Sequence, residues 1–167
     1  GVSRFGHAVI EEMNRLGLII DLSHAGKQSC LDAIKSSSKP VAISHANPFF
    51  FHNSIRNIDD EVLKSLVRKD GFIGLSLYPL HLKNHGECKL EDYCEMIHKL
   101  INLIGIDHIG IGSDLCKNWS NDVVMWMRNG KWTKKTDYGE SLNNSSSWPK
   151  QPSWFSKGSD IINIYKG

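Results

Sequence analysis

GLIIDLSH, residues 17–24, is an apolar run that closes on polar groups: Asp21, Ser23 and His24. PVAISHAN, residues 40–47, repeats the arrangement and closes on Ser44 and His45. Apolar strands with chemistry at their ends suit a parallel sheet, where ligands bind beyond the carboxyl ends of the strands. Between the two runs a helix is expected at about 28–37, carrying Leu31 and Ile34. Ser36, Ser37, Ser38, Lys39 and Pro40 break it before the next strand.

The same unit, helix then strand, is read four times along the chain. The first helix is expected over about 4–16, where Val9, Met13 and Leu16 share a face and Gly17 stops it. The third begins near Asp59 or Asp60, good caps whose charge suits the positive helix end. Its buried face is Val62, Leu63, Leu66 and Val67, and FIGLSLY follows as a strand. The fourth, about 90–104, presents Tyr93, Ile97, Leu100, Ile101 and Ile104 and leads into the strand HIGIGSD. Strands alternating with helices predict an α/β fold with about four parallel strands and flanking helices. Near-continuous apolar strands suit a sheet covered on both faces or closed into a barrel. Four units are half of a (β/α)8 TIM barrel, which needs roughly 250 residues. The expected architecture is therefore the C-terminal half of such a barrel over residues 1–116, with a loop-rich extension of the same domain over 117–167. All five tryptophans lie in that extension: Trp119, Trp126, Trp132, Trp148 and Trp154. A short helix is expected near 121–128, and NNSSSWPKQPSWF is its least regular part. The extension reads equally as an aromatic cover for the sheet or as a loop at the site's mouth or an oligomer contact.

The chain has 167 residues, enough for one domain with a core, and a net charge of +2 that gives no reason to expect nucleic acid as partner. No apolar run approaches the ~20 residues that span a bilayer. The N-terminal stretch GVSRFGHAVIEEMNRLG makes a poor signal peptide because charges interrupt it. The compartment is left open, with the cytoplasm favoured. Cys30, Cys88, Cys94 and Cys116 form no CxxC pair and are read as free thiols. GIGSD lacks the spacing of a nucleotide-binding glycine loop, and no GxSxG elbow occurs.

His24, His45 and Asp114 each sit where an apolar strand ends. His24 and His45 are one unit apart, so their strands should be neighbours and their side chains can converge. Imidazoles and carboxylates at such a rim point to a metal that activates water and polarises a carbonyl. Arg56, in NSIRNIDDEV, is either a surface cation or a fork for a substrate carboxylate. His98 and His108 have no partner motif and read as structural or solvent-facing; Tyr78 ends its strand as a candidate pocket wall.

The series MNRLGLIIDLSH, PVAISHAN, IRNIDDEVL and GIDHIGIGSD resembles, in order and spacing, the membrane dipeptidase (renal dipeptidase-like) family of zinc metallopeptidases over about residues 3–116. WMRNGKWTKKTDYGE and PSWF in the tail also resemble bacterial members. The resemblance implies a TIM-barrel hydrolase with two zinc ions that cleaves dipeptides. It implies that His24 and His45 bind one of the two zincs, that Arg56 holds the substrate carboxylate, and that Asp114 contacts substrate and supports catalysis. It also implies an upstream His-x-Asp pair for the other zinc, a glutamate bridging both metals and a further substrate-binding histidine. No His-x-Asp occurs here: His7 is followed by Ala8 and Val9, and His85 by Gly86 and Glu87. The chain is therefore expected to be a fragment, inactive alone, with a second chain, a second copy included, as a candidate partner. The alternatives are another amidohydrolase-like metal hydrolase and an inactive truncated paralogue.

Overall fold

The computed structural model describes residues 1–116 and 149–167. The expected helix at 121–128 and Trp119, Trp126, Trp132 and Trp148 lie outside them.

Helix ends follow their local chemistry. α1 (Arg4–Leu16) starts where the Ser3 side chain accepts the Gly6 N–H. It ends at Gly17, whose φ of 70° is the left-handed conformation that glycine adopts without cost. The N–H groups of Gly17 and Leu18 return to Asn14 and Met13, closing the last turn. α2 spans Lys27–Ser36 and buries Cys30, Ala33 and Ile34. α3 (Asp60–Val67) is capped by the Asp59 side chain on the Glu61 N–H. α4 (Leu90–Ile104) buries Tyr93, Met96, Leu100 and Ile104, a stripe at helical spacing.

β1 (Ala42–Ala46), β2 (Phe72–Leu75) and β3 (Ile109–Ile111) form a parallel sheet in that order. The strand expected at 17–24 is much reduced. Only Asp21 pairs, in parallel with Ala42, through bonds from the Leu22 N–H to the Ala42 carbonyl and from the Ala42 N–H to the Ile20 carbonyl. Among the described residues this segment has a neighbour on one side only, β1. Leu18 and Ile19 stay 55% and 75% exposed, so nothing holds them in the ladder. Apolar character reported burial potential, not a partner.

The β1–β2 register carries a bulge. Ile43 faces Ile73, yet Ala46 faces Leu75, so β1 holds one extra residue at Ser44–His45. Gly74 and Gly112 lie beneath it. A Cβ on either would fall on the Ser44 carbonyl oxygen.

Among the described residues one core joins α1 to the C-terminal segment: Ile34, Ile43, Leu63, Leu66, Ile73, Leu75, Leu100 and Phe155 are almost fully buried, and Ile10 belongs to the same cluster. The C-terminal segment is fastened to α4. Trp154 donates its indole N–H to the Cys88 carbonyl at 2.8 Å and packs against Tyr93 with ring centres 5.3 Å apart. A short helix, α5 (Ile162–Lys166), follows. No described helix is long and apolar enough to cross a membrane.

Candidate active site

The parallel strands point their carboxyl ends the same way, and the expected residues gather there. His24 follows the Asp21 bridge, His45 sits in the β1 bulge and Asp114 lies three residues beyond β3. A regular strand would turn Ser44 and His45 to opposite faces. The bulge leaves both half-buried at the same rim.

The Nε2 atoms of His24 and His45 are 3.0 Å apart, with the rings at 62° to each other. Desolvation lowers the His24 pKa, and the positive charge of Arg56 lowers it further, against the opposing pull of Asp114 and Asp21. His24 is therefore held toward its neutral form. Both His24 and Asp114 adopt left-handed backbone, with φ of 67° and 52°. Histidine and aspartate tolerate that region better than most residues, at a cost of order 1 kcal/mol each.

Beneath the two rings lies a polar knot that sequence reasoning did not assign. The Asp21 carboxylate accepts four hydrogen bonds, from the N–H and hydroxyl of Ser23 and the N–H and hydroxyl of Ser44. Burial alone would raise its pKa; these donors, Ser44 foremost, outweigh that and bring it down to about 2. The signal was present in the shared Ser-His of DLSH and AISH. What it lacked was the strand register that brings Ser23 and Ser44 onto one carboxylate.

Arg56 stands in the loop before α3, with Nη2 3.5 Å from the His45 carbonyl oxygen. That loop is pinned by Asn57 and Asn47, whose side-chain amides both donate to the His81 carbonyl at 3.1 Å. His81 itself is 3% exposed, hydrogen-bonded through Nδ1 to Ser76 Oγ at 2.8 Å and stacked edge-on to Tyr78. Sequence gave His81 no motif, since a buried histidine and a surface one look alike in the chain. His108 binds the Gly71 carbonyl at 2.8 Å, while His98 is exposed on α4.

Burial, reinforced by Arg56, lowers the His81 pKa to about 3. A depressed histidine pKa keeps the folded state from taking up a proton that the unfolded chain accepts near pH 6.5. Its favourable contribution is complete above that pH and is lost as pH falls toward 3. Stability should therefore decline by up to about 1.4 kcal/mol per pH unit over that window. The decline should be shallower in His81→Gln, as read from urea midpoints at successive pH values.

Among the described residues, no group of three or more His, Cys, Asp or Glu side chains gathers as a metal site. The family is decided by comparison. Residues 1–121 match the family model described as membrane dipeptidase, peptidase family M19. The chain belongs to this family. Relatives of this M19 chain include dipeptidase tcpJ of Claviceps purpurea, 36% identical over 115 residues, which are 68% of this chain and 27% of that protein. Dipeptidase aclJ of Aspergillus oryzae is 35% identical over 68% of this chain and 28% of its own length. The M19 chain thus spans little more than a quarter of the curated relatives it matches. Among solved structures, an amidohydrolase from Pseudomonas aeruginosa superposes with a TM-score of 0.83 at 32% identity, covering 98% of this chain and 49% of that one. A metallopeptidase from Rhodobacter sphaeroides, liganded with a phosphinate mimic of the dipeptide L-Ala-D-Ala, gives 0.65 at 29% identity over 69% and 34%. Another solved structure of this family is described as a dipeptidase and metallopeptidase; it gives a TM-score of 0.65 at 30% identity over 68% of this chain and 34% of that one.

Proposed function

We propose that this chain is the C-terminal part of a (β/α)8-barrel metallopeptidase and supplies half of a two-zinc centre that hydrolyses dipeptides. The observation that carries the reading is the 3.0 Å approach of His24 Nε2 to His45 Nε2 at the carboxyl ends of neighbouring segments of a parallel sheet. Two nitrogens sharing a tetrahedral zinc at ~2.05 Å lie ~3.3 Å apart, so the pair fits that metal. Residues 117–167 are assigned to the same domain, a reading supported by Phe155 in the common core.

Each side chain has a role. His24 and His45 would hold one zinc through their ε nitrogens. Bound zinc would polarise the scissile carbonyl and acidify a water. Arg56 anchors the substrate's carboxylate with its planar fork and so sets the register of the peptide bond. Asp114, whose charge reaches the His24 ring, orients the substrate or carries a proton. Among the described residues the centre has two imidazoles, whereas catalytic zinc takes three protein ligands. The chain by itself is therefore expected to be inert.

Hydrolysis of a small dipeptide panel tests this, with zinc supplied and a chelator control. The chain should be silent alone and active within the longer protein carrying the family's remaining ligands. Chelator-sensitive turnover by the chain alone would overturn the half-site reading. Arg56→Lys in the active form should lower kcat/KM by about 10- to 100-fold, the worth of a charged hydrogen bond of ~1.5–3 kcal/mol, and mainly through KM. Dipeptide amides, which lack the carboxylate, should barely distinguish the two enzymes.

One observation favours a second reading, an amide hydrolase with other substrates. The likeness to the protein described as an amidohydrolase covers 98% of this chain. Cleavage of cyclic amides with no cleavage of dipeptides would select it.

A further inference from the structure

We infer that Asp21 and Ser44 are positioning residues that hold His45 with its proton on Nδ1 and its Nε2 lone pair directed at His24. The Asp21 carboxylate has no proton to give and accepts from every neighbour. Ser23 spends its hydroxyl proton on Asp21 Oδ1 at 2.9 Å, and its oxygen accepts the His45 backbone N–H at 3.0 Å. Ser44 spends its single hydroxyl proton on Asp21 Oδ2, because a charge-assisted bond to a carboxylate outcompetes a neutral acceptor. The remaining face of Ser44 Oγ lies 2.8 Å from His45 Nδ1 and has only lone pairs to offer. His45 Nδ1 must then be the donor, which leaves Nε2 bare.

Metal-bound histidines commonly have their second nitrogen fixed by a carboxylate or carbonyl. Here a hydroxyl is inserted between carboxylate and ring. The insertion follows from the bulge, which places Ser44 and His45 at one rim. Both backbone and ring are held: Asp21 ties the Ser23 and Ser44 amides, and Ser23 ties the His45 amide. As a device for metal binding this rests on the function proposed above. As a statement about where a proton sits, it stands by itself.

Two-bond 1H–15N spectra of the 15N-histidine-labelled, chelator-treated chain above pH 7 test it. His45 should show a protonated Nδ1 and a bare Nε2. Ser44→Ala, which keeps the strand and removes the acceptor, should move His45 toward the Nε2–H form that unconstrained imidazole prefers; Ser44→Thr should restore the original pattern. Zinc affinity should fall about 10- to 100-fold in Ser44→Ala, the usual cost of losing such a partner, and recover in Ser44→Thr. An Nε2–H ring in the unaltered chain overturns the inference before any variant is made. So does an Nδ1–H ring that persists in Ser44→Ala. If the expected tautomer is found but the longer protein cleaves no dipeptide, the proposed function falls and the proton assignment remains.

Discussion

His45→Ala should abolish dipeptide hydrolysis by the longer, active protein, and His24→Ala should do the same. The loss should exceed about 100-fold, the upper end of what a mere supporting partner costs, because a ligand itself is removed. Bound zinc should drop from two per chain to one, measured as metal content after dialysis. Folding should change little, since both rings lie at the rim, half-buried, rather than in the core. Full activity in either variant, or unchanged metal content, would remove His24 and His45 from the centre and take the proposed mechanism with them.

Gly112→Val should be the most damaging single change to stability. The Ser44 carbonyl, pushed out by the bulge, rests where a Cβ at Gly112 or Gly74 would stand. The clash is backbone against side-chain root, so no rotamer relieves it. Overpacking in a core costs ~1–3 kcal/mol, and a rigid backbone contact belongs at or above the top of that range. Gly110→Ala is the internal control. It lies in the same strand, a Cβ there meets nothing, and it should be neutral or stabilising by up to ~1 kcal/mol. Urea midpoints for Gly112→Val, Gly74→Ala and Gly110→Ala would order the three. Equal loss in all three would mean that the strand, not the Ser44 seat, is what glycine serves.

Helix positions and ends were the most legible part of the chain, because their signals are local, although the face expected for α1 was wrong: Val9 and Leu16 are exposed and Ile10 is the buried residue. Ser3, Gly17 and Asp59 mark ends through bonds made within a few residues, and Val62, Leu63 and Leu66 mark a face by spacing alone. Strands were legible as apolar runs, but pairing is a property of two segments. VAISH, FIGLSLY and HIGIGSD found neighbours, whereas GLIIDLSH contributes a single bridge. The site divides in the same way. That His24, His45, Arg56 and Asp114 would meet could be anticipated from strand ends and family motifs. The Asp21 knot and buried His81 could not, because each depends on register and on loops folding back: Ser44 on Asp21 across 23 positions, Asn47 on His81 across 34. The bulge has no signature in the string AISHA at all.

That bulge also constrains how the chain can change over generations. Substitution and length change are usually treated as separate tolerances, with strands forgiving the first and loops the second. Between Ile43 and Ala46 the two are bound together. Removing one residue would restore an ideal ladder and a flatter sheet, so a search for stability alone would favour it. It would also rotate His45 off the rim and leave Asp21 without its Ser44 donors. If His45 serves the centre proposed above, the count of residues in this strand is held by chemistry against the preference of the fold, and drift in the lineage should be freer in letter than in length.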